Sequence, residues 1–505
     1  MCLFALRGLL GFYEASSTSA RNRPHDPTAS KPVVPRGYVD RIVVVMDSFD
    51  VVVLGGGPAG EVAAGRLADA GLEVALVEDD VVGGECSFYA CMPSKALLRP
   101  AEILREVHRV PGAAEAVTGK LDVQAVLDRR DEVIHDLDDS SQLPWLEDKG
   151  IKLYRSFGVL AGEKRVDVGE DQLKARRAVI LAGGSRALLP PIEGLREAEP
   201  WTNREATTAK HIPEAVVILG GGVFGTELAQ AYSSLGSKVT LIEGERRLLP
   251  NVEEFACEQV TDSLVEHGVD VRTGRKAAKV VQDGGTLTVH MDDGSTVNAE
   301  QLIAALGRHP RTKELGLESV GLEGGNYVAV DENMQVPGHD WLYAIGDVNG
   351  RILLTHMGKY QARLASEHIL GNPSAAEHGA DGQRAPQVVF TDPQVAAVGH
   401  TEKTAREAGL DFHILETGTS ANAGGSFYGH DAPGTSRLLV DKESDLIIGA
   451  TITGSEVADF LHAATIAIVG EVPMGRLWHA TPSFPTRSEI WLKLMEKWET
   501  AKGAA

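Results

Sequence analysis

The chain has 505 residues, a formal net charge of −22, 43% hydrophobic residues and 24% charged residues. This length predicts about three domains, and the composition is typical of a soluble globular protein. The acidic balance excludes a general affinity for nucleic-acid backbones. No apolar run reaches the roughly 18 residues of a membrane helix. The four cysteines exclude a disulfide scaffold and favour a reducing compartment such as the cytoplasm.

Residues 1–45 show no pattern of a folded element. Residues 1–13 are mildly apolar, whereas residues 16–36 are polar and rich in Pro, Ser and Thr, which is typical of a disordered segment. The small-residue cleavage pattern that an export signal requires is missing. We therefore expect a disordered tail, or a chain start that really lies at Met46, in preference to a targeting segment.

A nucleotide-binding motif follows directly. Residues 50–54 form a β-branched run typical of a buried parallel strand, a helix is predicted over 61–70, and a second strand over 72–77 ends at Glu78, where a carboxylate can hold an adenosine ribose. The pattern G-x-G-x-x-G between strand and helix is formed by Gly55, Gly57 and Gly60. These glycines allow a tight turn and a close approach of a pyrophosphate to the helix N-terminus, so we predict a dinucleotide site.

Two cysteines, Cys86 and Cys91, come next and are half of the cysteines in the chain. Five residues of straight helix rise about 7.5 Å and a disulfide requires Cα atoms within roughly 7 Å, so a bridged pair needs a bent turn that leads into a helix. Pro93 suits the first position of that helix, whose N-terminus lowers a thiol pKa, and Lys95 adds positive charge. The alternatives are two free thiols or half a metal site. Metal sites use C-x2-4-C spacing and need further ligands, so we favour a redox pair and expect no metal.

The pattern of residues 101–139 predicts a helical connection back to the sheet, and a second nucleotide-binding motif lies over 216–243. Its glycines are Gly220, Gly222 and Gly225. Two complete motifs are far more specific than one, and the second predicts a site for a nicotinamide nucleotide. Glu243 at the strand end hydrogen-bonds a free 2′-hydroxyl and repels a 2′-phosphate, which favours NAD(H) over NADP(H), although Arg246 and Arg247 could accommodate the phosphate.

The run Gly-Gly-Glu-Cys-x4-Cys-Met-Pro-Ser-Lys at 83–95 resembles the redox motif of the class I pyridine nucleotide–disulfide oxidoreductases, which include lipoamide dehydrogenase, glutathione reductase and mercuric reductase. The resemblance extends over about residues 46–498. It implies FAD at the first site, a homodimer and an α/β fold, with two Rossmann-like dinucleotide-binding domains plus a C-terminal α+β dimerisation domain. The implied division is a tail at 1–45, an FAD-binding domain at 46–195 and 328–375, an NAD(P)-binding domain at 196–327 and a dimerisation domain at 383–498.

The resemblance also implies roles for individual residues. Cys91 matches the thiol that lies against the flavin, and Cys86 matches the interchange thiol that meets the substrate. Lys95 matches a lysine near the flavin, whose cation stabilises charge on the reduced ring, and Glu227 matches the glutamate that pairs with it. Further matches to positions that bind FAD or return the chain to its domain are Gly183, Gly307, Gly346, Asp347 and Thr355.

The C-terminal region departs from this family at one position. The disulfide-reducing members carry His-Pro-x-x-x-Glu across the dimer, in which the histidine is the acid/base for the interchange thiol and the glutamate orients it. Here Phe484 stands in place of the histidine, and Glu489 is retained. A phenylalanine cannot carry a proton, and His479 could replace the histidine only if the loop folds differently. Mercuric reductases have a tyrosine there but also need a cysteine pair near the C-terminus, whereas the remaining cysteines are Cys2 and Cys257.

We therefore expect an enzyme that passes a hydride from NAD(P)H through FAD to the Cys86–Cys91 pair and on to an unidentified small-molecule acceptor, in the manner of dihydrolipoyl dehydrogenase or mercuric reductase. The alternative is a quinone or another acceptor that is reduced directly at the flavin. A flavin-loaded subunit without catalysis is disfavoured by the intact cysteines and the two nucleotide motifs. The expected partners are the acceptor and a second copy of the chain, with no nucleic acid and no membrane span.

Overall fold

The computed structural model of this chain describes residues 46–372, 376, 379–429 and 432–503. The expectation of a disordered tail or a misassigned start at 1–45 concerns residues outside this set. Within the described ranges, no helix is long and apolar enough to cross a membrane.

The first part of the chain folds around a mostly parallel sheet. Its strands are β1 (Asp47–Leu54), β2 (Val74–Val77), β3 (Lys152–Tyr154), β4 (Gly158–Leu160), β5 (Arg165–Val168) and β6 (Asp171–Leu181). The helices of this part are α1 (Pro58–Asp69), α2 (Gly84–Phe88), α3 (Cys91–Arg109), α4 (Val123–Val133), α5 (Leu143–Asp148) and α6 (Asn203–Thr208). β1 lies between β2 and β6 and is parallel to both. Its last four residues are buried and alternate between two core clusters, as expected of an apolar strand covered on both faces.

The predicted helical connection over 101–139 is present only in pieces. Pro111 disfavours helical backbone at the residue before it, and Gly112 has a φ of +91°, so α3 cannot continue. Asp122 starts α4 anew by accepting the backbone N–H of Ala125 at 3.1 Å.

The start of α3 also differs from the prediction. Pro93 was expected at the first helical position, whereas the helix begins at Cys91. Pro93 is the third residue, where a backbone N–H has no partner inside the helix, so proline is tolerated there. Cys91 therefore occupies the first turn of a 19-residue helix.

The middle of the chain repeats this construction. The short strand β7 (Ser185–Ala187) precedes this middle region. The strands of the region are β8 (Ala215–Leu219), β9 (Lys238–Glu243), β10 (Asp270–Thr273), β11 (Ala277–Asp283), β12 (Thr286–Met291), β13 (Thr296–Ala299), β14 (Gln301–Ala304) and β15 (Arg308–Pro310). Its helices are α7 (Val223–Ser234) and α8 (Glu254–Glu266), and Cys257 lies on α8. The order β10-β9-β8-β14 is a parallel sheet, and β11, β12 and β13 form an antiparallel one. β7 and β15 pair with each other and link the segments on either side of this region.

The chain then returns to the first sheet. β16 (Leu342–Ala344) pairs in parallel with β6, and α9 (Thr355–Ile369) follows it. This pairing is what a first domain made of two sequence segments requires; the domain boundaries given above stay predictions.

The last part of the chain is built on an antiparallel sheet in the order β17-β18-β21-β20-β19. Its strands are β17 (Gln387–Val389), β18 (Gln394–Gly399), β19 (Phe412–Gly418), β20 (Thr435–Asp441) and β21 (Ile447–Gly454). Its helices are α10 (Glu402–Glu407), α11 (Leu461–Val469), α12 (Met474–Leu477) and α13 (Ile490–Gly503). Residues of α11 and α13 share one apolar core with this sheet.

Candidate active site

One cleft of about 1840 Å³ contains most of the predicted site residues. Those that line it are Gly55, Gly57, Glu78, Cys86, Cys91, Lys95, Gly183, Gly222, Glu227, Gly307, Gly346, Asp347 and Thr355. Of the other predicted residues, Gly60 and Gly225 lie in the first turns of α1 and α7, Gly220 lies between β8 and α7, and Glu243 ends β9. The structure thus brings both nucleotide motifs and the cysteine segment together.

The two glycine-rich turns have the same geometry. Gly55 has a φ of +112°, and a Cβ on Gly60 would lie 1.9 Å from the Gly55 carbonyl oxygen. In the second turn Gly220 has a φ of +103°, and a Cβ on Gly225 would lie 1.9 Å from the Gly220 carbonyl oxygen. Only glycine fits these positions without moving the backbone.

The acidic residue at each strand end is held in the same way. Glu78 accepts the backbone N–H groups of the residues 22 before and 2 after it, at 2.6 and 2.8 Å. Glu243 accepts the N–H groups at the same spacings, at 2.5 and 2.7 Å. Burial raises the pKa of Glu78. Each carboxylate is therefore fixed at the edge of its sheet.

The residues present fit two dinucleotides. Gly57 and Gly222 are the N-caps of α1 and α7. A Cβ on Gly222 would meet nothing within 4 Å, and one on Gly57 would meet only Gly84 Cα, at 4.0 Å. Free N–H groups and the helix dipole favour an anion at these open positions. The cradles accept a pyrophosphate at each helix N-terminus, as FAD and a pyridine nucleotide require.

The two cysteines are free thiols that contact each other and Thr355. Thr355 begins α9; its hydroxyl donates to Cys86 Sγ at 3.0 Å and lies 3.6 Å from Cys91 Sγ. The hydrogen bond from Cys86 lowers the pKa of Cys91 to about 6 against the effect of burial, and Thr355 and Lys95 act in the same direction. The contact with Cys91, together with burial, raises the pKa of Cys86. Cys91 is therefore the thiol of the pair that ionises first.

In the reduced protein, we expect the Cys91 thiolate to form with a midpoint near pH 6, against about 8.5 for an unperturbed thiol. Cys86→Ala removes the donor and should return the pKa of Cys91 toward its ordinary value, whereas Cys86→Ser still donates and should keep most of the shift. The ultraviolet absorbance of the thiolate, followed against pH with Cys91→Ser as baseline, measures the midpoint. An unchanged midpoint in Cys86→Ala would contradict the assignment.

Lys95 and Glu227 form the ion pair that the resemblance implied. Lys95 Nζ lies 2.8 Å from Glu227 Oε2, and Glu227 is 2% exposed. The other carboxylate oxygen accepts the backbone N–H of Phe390 at 2.9 Å, and the ammonium lies 4.8 Å from the centre of the Phe390 ring. A buried carboxylate is tolerated when both oxygens have partners. The pair therefore fixes a cation on α3 close to the thiols.

Asp347 lies just after β16 and faces Ser185. The Ser185 hydroxyl donates to Asp347 Oδ2 at 2.5 Å. Burial raises the pKa of Asp347, against the effects of Ser185 and Arg308. Gly346 has a φ of +73° and donates its N–H to Gln361 Oε1 at 2.8 Å. The polar end of Asp347 is thereby presented to the cleft.

The C-terminal segment lies apart from these residues. Among the described residues that line the cleft, none comes from the segment that runs from His479 to Glu489. Phe484 is 77% exposed, and His479 is also exposed. Glu489 Oε2 accepts the backbone N–H of Gly424 at 3.0 Å. Within one chain, Glu489 orients a loop of its own domain.

Sequence reasoning missed the side chains that hold the cysteine segment. Glu85 contacts Arg204 and Arg308, and the hydroxyl of Thr355 contacts both thiols. Thr355 was expected only as one of the positions that match the FAD-binding domain of the family. The sole local sign was an acidic residue directly before Cys86; its partners lie 119 and 223 residues away.

Comparisons with known proteins agree with this arrangement. Residues 49–362 match the family described as pyridine nucleotide-disulphide oxidoreductase, and residues 385–495 match its dimerisation domain. A dihydrolipoyl dehydrogenase of Bacillus subtilis is 32% identical over 88% of this chain and 96% of the relative. A mercuric reductase of Staphylococcus aureus is 29% identical over 83% of this chain and 77% of the relative. The Cu(II) complex of the HOCl-induced flavoprotein disulfide reductase RclA from Escherichia coli shares the fold, with a TM-score of 0.79 at 24% identity over 89% of this chain and 99% of that one.

Two dinucleotide folds and a thiol pair in one cleft define a flavin-dependent disulfide oxidoreductase. The chain belongs to the pyridine nucleotide-disulphide oxidoreductase family. It is an enzyme that uses FAD and a pyridine nucleotide, and its dimerisation domain supports a homodimer. The predicted family, fold class and reaction type are confirmed, whereas the roles of individual residues stay predictions.

Proposed function

We propose that this enzyme moves electrons from NADH to the Cys86–Cys91 disulfide, and from the reduced pair to a small acceptor that itself contains a disulfide bond. The observation that carries the proposal is the thiol pair: two contacting cysteines whose pKa values move in opposite directions, in one cleft with both nucleotide motifs. FAD, when bound, would accept the hydride of the nicotinamide and supply two electrons to the disulfide.

The chain's own residues hold the thiols for this transfer. The Thr355 hydroxyl lies within reach of both sulfurs, and Lys95, fixed by Glu227, supports the thiolate form of Cys91. Once one thiol of the reduced pair has ionised, a single proton remains and is shared between the two sulfurs. When that proton lies on Cys91, Cys86 is the thiolate and can attack a disulfide, so the attack itself requires no histidine.

The departure at Phe484 bears on the acceptor. An acceptor disulfide releases a thiolate when Cys86 attacks it, and a leaving thiol of low pKa departs faster. In the histidine-bearing members an imidazolium protonates that leaving group; a phenyl ring cannot. We therefore infer that the preferred acceptors are disulfides with acidic leaving thiols, and that lipoamide, whose thiols are ordinary, is a poor acceptor.

The second nucleotide site favours NADH over NADPH. The Glu243 carboxylate is fixed by its two backbone donors at the end of β9, where it would repel a 2′-phosphate. Of the two arginines that follow, Arg247 has its guanidinium within 3.4 Å of the carbonyl oxygens of Pro250 and Val252. These contacts direct the Arg247 guanidinium toward its own loop. Of these two arginines, Arg246 is then the one left to pair with a 2′-phosphate.

Turnover of purified holoenzyme with a panel of acceptors tests this proposal. With NADH, we expect an aromatic disulfide with acidic thiols to be reduced at least about tenfold faster than lipoamide, since the leaving thiol differs by several pKa units. NADPH should give a kcat/KM about tenfold or more below that of NADH. Lipoamide turnover equal to that of the aromatic disulfide would show that another group replaces the missing histidine. Turnover of a simple quinone alone would favour chemistry directly at the flavin.

A further inference from the structure

The cysteine segment is held in place by side chains from outside it. α2 has only five residues. Gly83 precedes it with a φ of +111°, and its first residue, Gly84, has a φ of +60°. A helix of this length is not stable by itself. Its position, and with it the position of Cys86, must therefore come from contacts made by the rest of the chain.

Glu85 makes three of these contacts. Its Oε1 accepts Arg204 Nε at 3.0 Å, its Oε2 accepts Asn203 Nδ2 at 3.2 Å, and the Arg308 guanidinium donates to the same Oε2. Its side chain is 22% exposed. Although burial acts to raise it, Arg308 and Arg204 hold the pKa of Glu85 below its usual range. The carboxylate is therefore an anion between two guanidinium groups.

The partners of Glu85 come from both connections between the two nucleotide-binding sheets. Asn203 and Arg204 begin α6, on the outgoing connection before β8. Arg308 begins β15, on the returning connection after β14, and its guanidinium also donates to the Ser185 hydroxyl at 2.7 Å. One carboxylate thus ties the cysteine segment to both crossings, directly beside Cys86.

We propose that Glu85 is a positioning residue that keeps the Cys86–Cys91 pair strongly reducing, because its carboxylate neutralises Arg204 and Arg308 beside Cys86 and anchors α2 to both connections. This inference rests on the proposed function, in which Cys86 and Cys91 alternate between dithiol and disulfide. Positive charge near a thiol favours the thiolate, and stabilising the reduced form makes a pair more oxidising. Without Glu85, Arg204 would keep only Asp80 at 2.7 Å, and Arg308 only Asp347 at 3.9 Å, as a carboxylate partner among the described residues. The net positive charge beside Cys86 would then be greater and would favour the dithiol.

The test is the redox equilibrium of the pair in Glu85→Gln holoenzyme. The protein is equilibrated anaerobically with mixtures of reduced and oxidised dithiothreitol, quenched with an alkylating agent and analysed by mass spectrometry for the segment that contains both cysteines. Each exchange closes one dithiothreitol to its cyclic disulfide and breaks one Cys86–Cys91 bond. Of the two protons that dithiothreitol gives up, one is taken by Cys86 and the other by Cys91 or, above the pKa of Cys91, by the solvent. We expect the dithiol-to-disulfide ratio of Glu85→Gln to exceed that of the native protein three- to tenfold at every mixture.

Asp50 supplies the matched control. It is another carboxylate between two arginines, 3.0 Å from Arg176 and 3.7 Å from Arg177, with 17% exposure, and it lies near the start of β1 away from the cleft. Asp50→Asn should leave the redox ratio unchanged even if it lowers stability. Glu85→Asp keeps the negative charge and should stay closer to the native ratio than Glu85→Gln.

Removal of one arginine provides a test that does not depend on the folding of Glu85→Gln. Arg204→Gln removes positive charge and should lower the dithiol-to-disulfide ratio, and Glu85→Gln combined with Arg204→Gln should lie nearer the native ratio than Glu85→Gln alone. An unchanged ratio in Glu85→Gln, or the same direction of change in Arg204→Gln, would overturn the inference. If the native pair fails to alternate between dithiol and disulfide at all, the proposed function fails instead.

Discussion

Replacing Cys86 with serine is expected to abolish the reduction of disulfide acceptors, with a loss of about 10³-fold or more in kcat, as for the removal of other nucleophiles. A serine hydroxyl neither forms a disulfide with Cys91 nor attacks an acceptor disulfide at neutral pH. Quinone reduction at the flavin requires no bond to Cys86 and should remain within a few-fold of the native rate. NADH-dependent turnover is measured with a disulfide acceptor and with a quinone on one preparation of the variant, which gives the loss of kcat for each acceptor class.

Cys257→Ser provides the control for this prediction. Cys257 is a buried thiol on α8 whose Sγ lies 3.2 Å from the Leu249 carbonyl oxygen, and burial raises its pKa to about 11. Replacing sulfur by oxygen at Cys257 should leave both acceptor activities within about twofold, since Cys257 does not line the cleft that contains Cys86 and Cys91. If Cys86→Ser retained disulfide reduction, the acceptor would be reduced without the thiol pair. The proposal of a disulfide relay would then be wrong.

The parts of the site that the sequence predicted are those with local causes. A strand, a turn with glycines at fixed spacing and a helix form a short unit, and the backbone requirements of Gly55 and Gly60 are satisfied within that unit. The repeat of the same spacing makes Gly220 and Gly225 equivalent to them, so one pattern predicted two turns of equal geometry. The strand ends at Glu78 and Glu243 follow from the same unit.

The parts that the sequence did not predict depend on distant contacts. The Thr355 hydroxyl meets Cys86 across 269 residues of chain, and the partners of Glu85 come from two connections whose course depends on how the sheets are joined. No local pattern encodes such pairs. The interruption of the predicted helical connection has a local cause. Pro111 and Gly112 are helix-breaking residues in the sequence, but the prediction gave more weight to the helical pattern of the whole segment.

A pair of alanine substitutions in the second glycine-rich turn should separate folding from nucleotide binding. In Gly225→Ala the new Cβ would lie 1.9 Å from the Gly220 carbonyl oxygen and 3.1 Å from Ala305 Cβ, so the turn must move. We expect a destabilisation of about 1–3 kcal/mol or more, as for other overpacked sites, together with loss of NADH binding. Thermal unfolding followed by circular dichroism measures the first effect.

Gly222→Ala should impair nucleotide binding without a comparable loss of stability. Its backbone, at a φ of −70° and a ψ of −174°, suits any residue, and its Cβ would meet nothing within 4 Å, so stability should change by less than about 1 kcal/mol, the cost of alanine in place of glycine at an N-cap. The methyl group would instead enter the space that a pyrophosphate needs at the start of α7. We expect the KM for NADH to rise about tenfold or more, which corresponds to ~1.4 kcal/mol of binding free energy. Because the two glycines lie three residues apart, each variant controls for the other. Equal losses of stability in the two variants would refute the open space at Gly222. An unchanged KM for NADH in Gly222→Ala would refute the placement of the nucleotide at the start of α7.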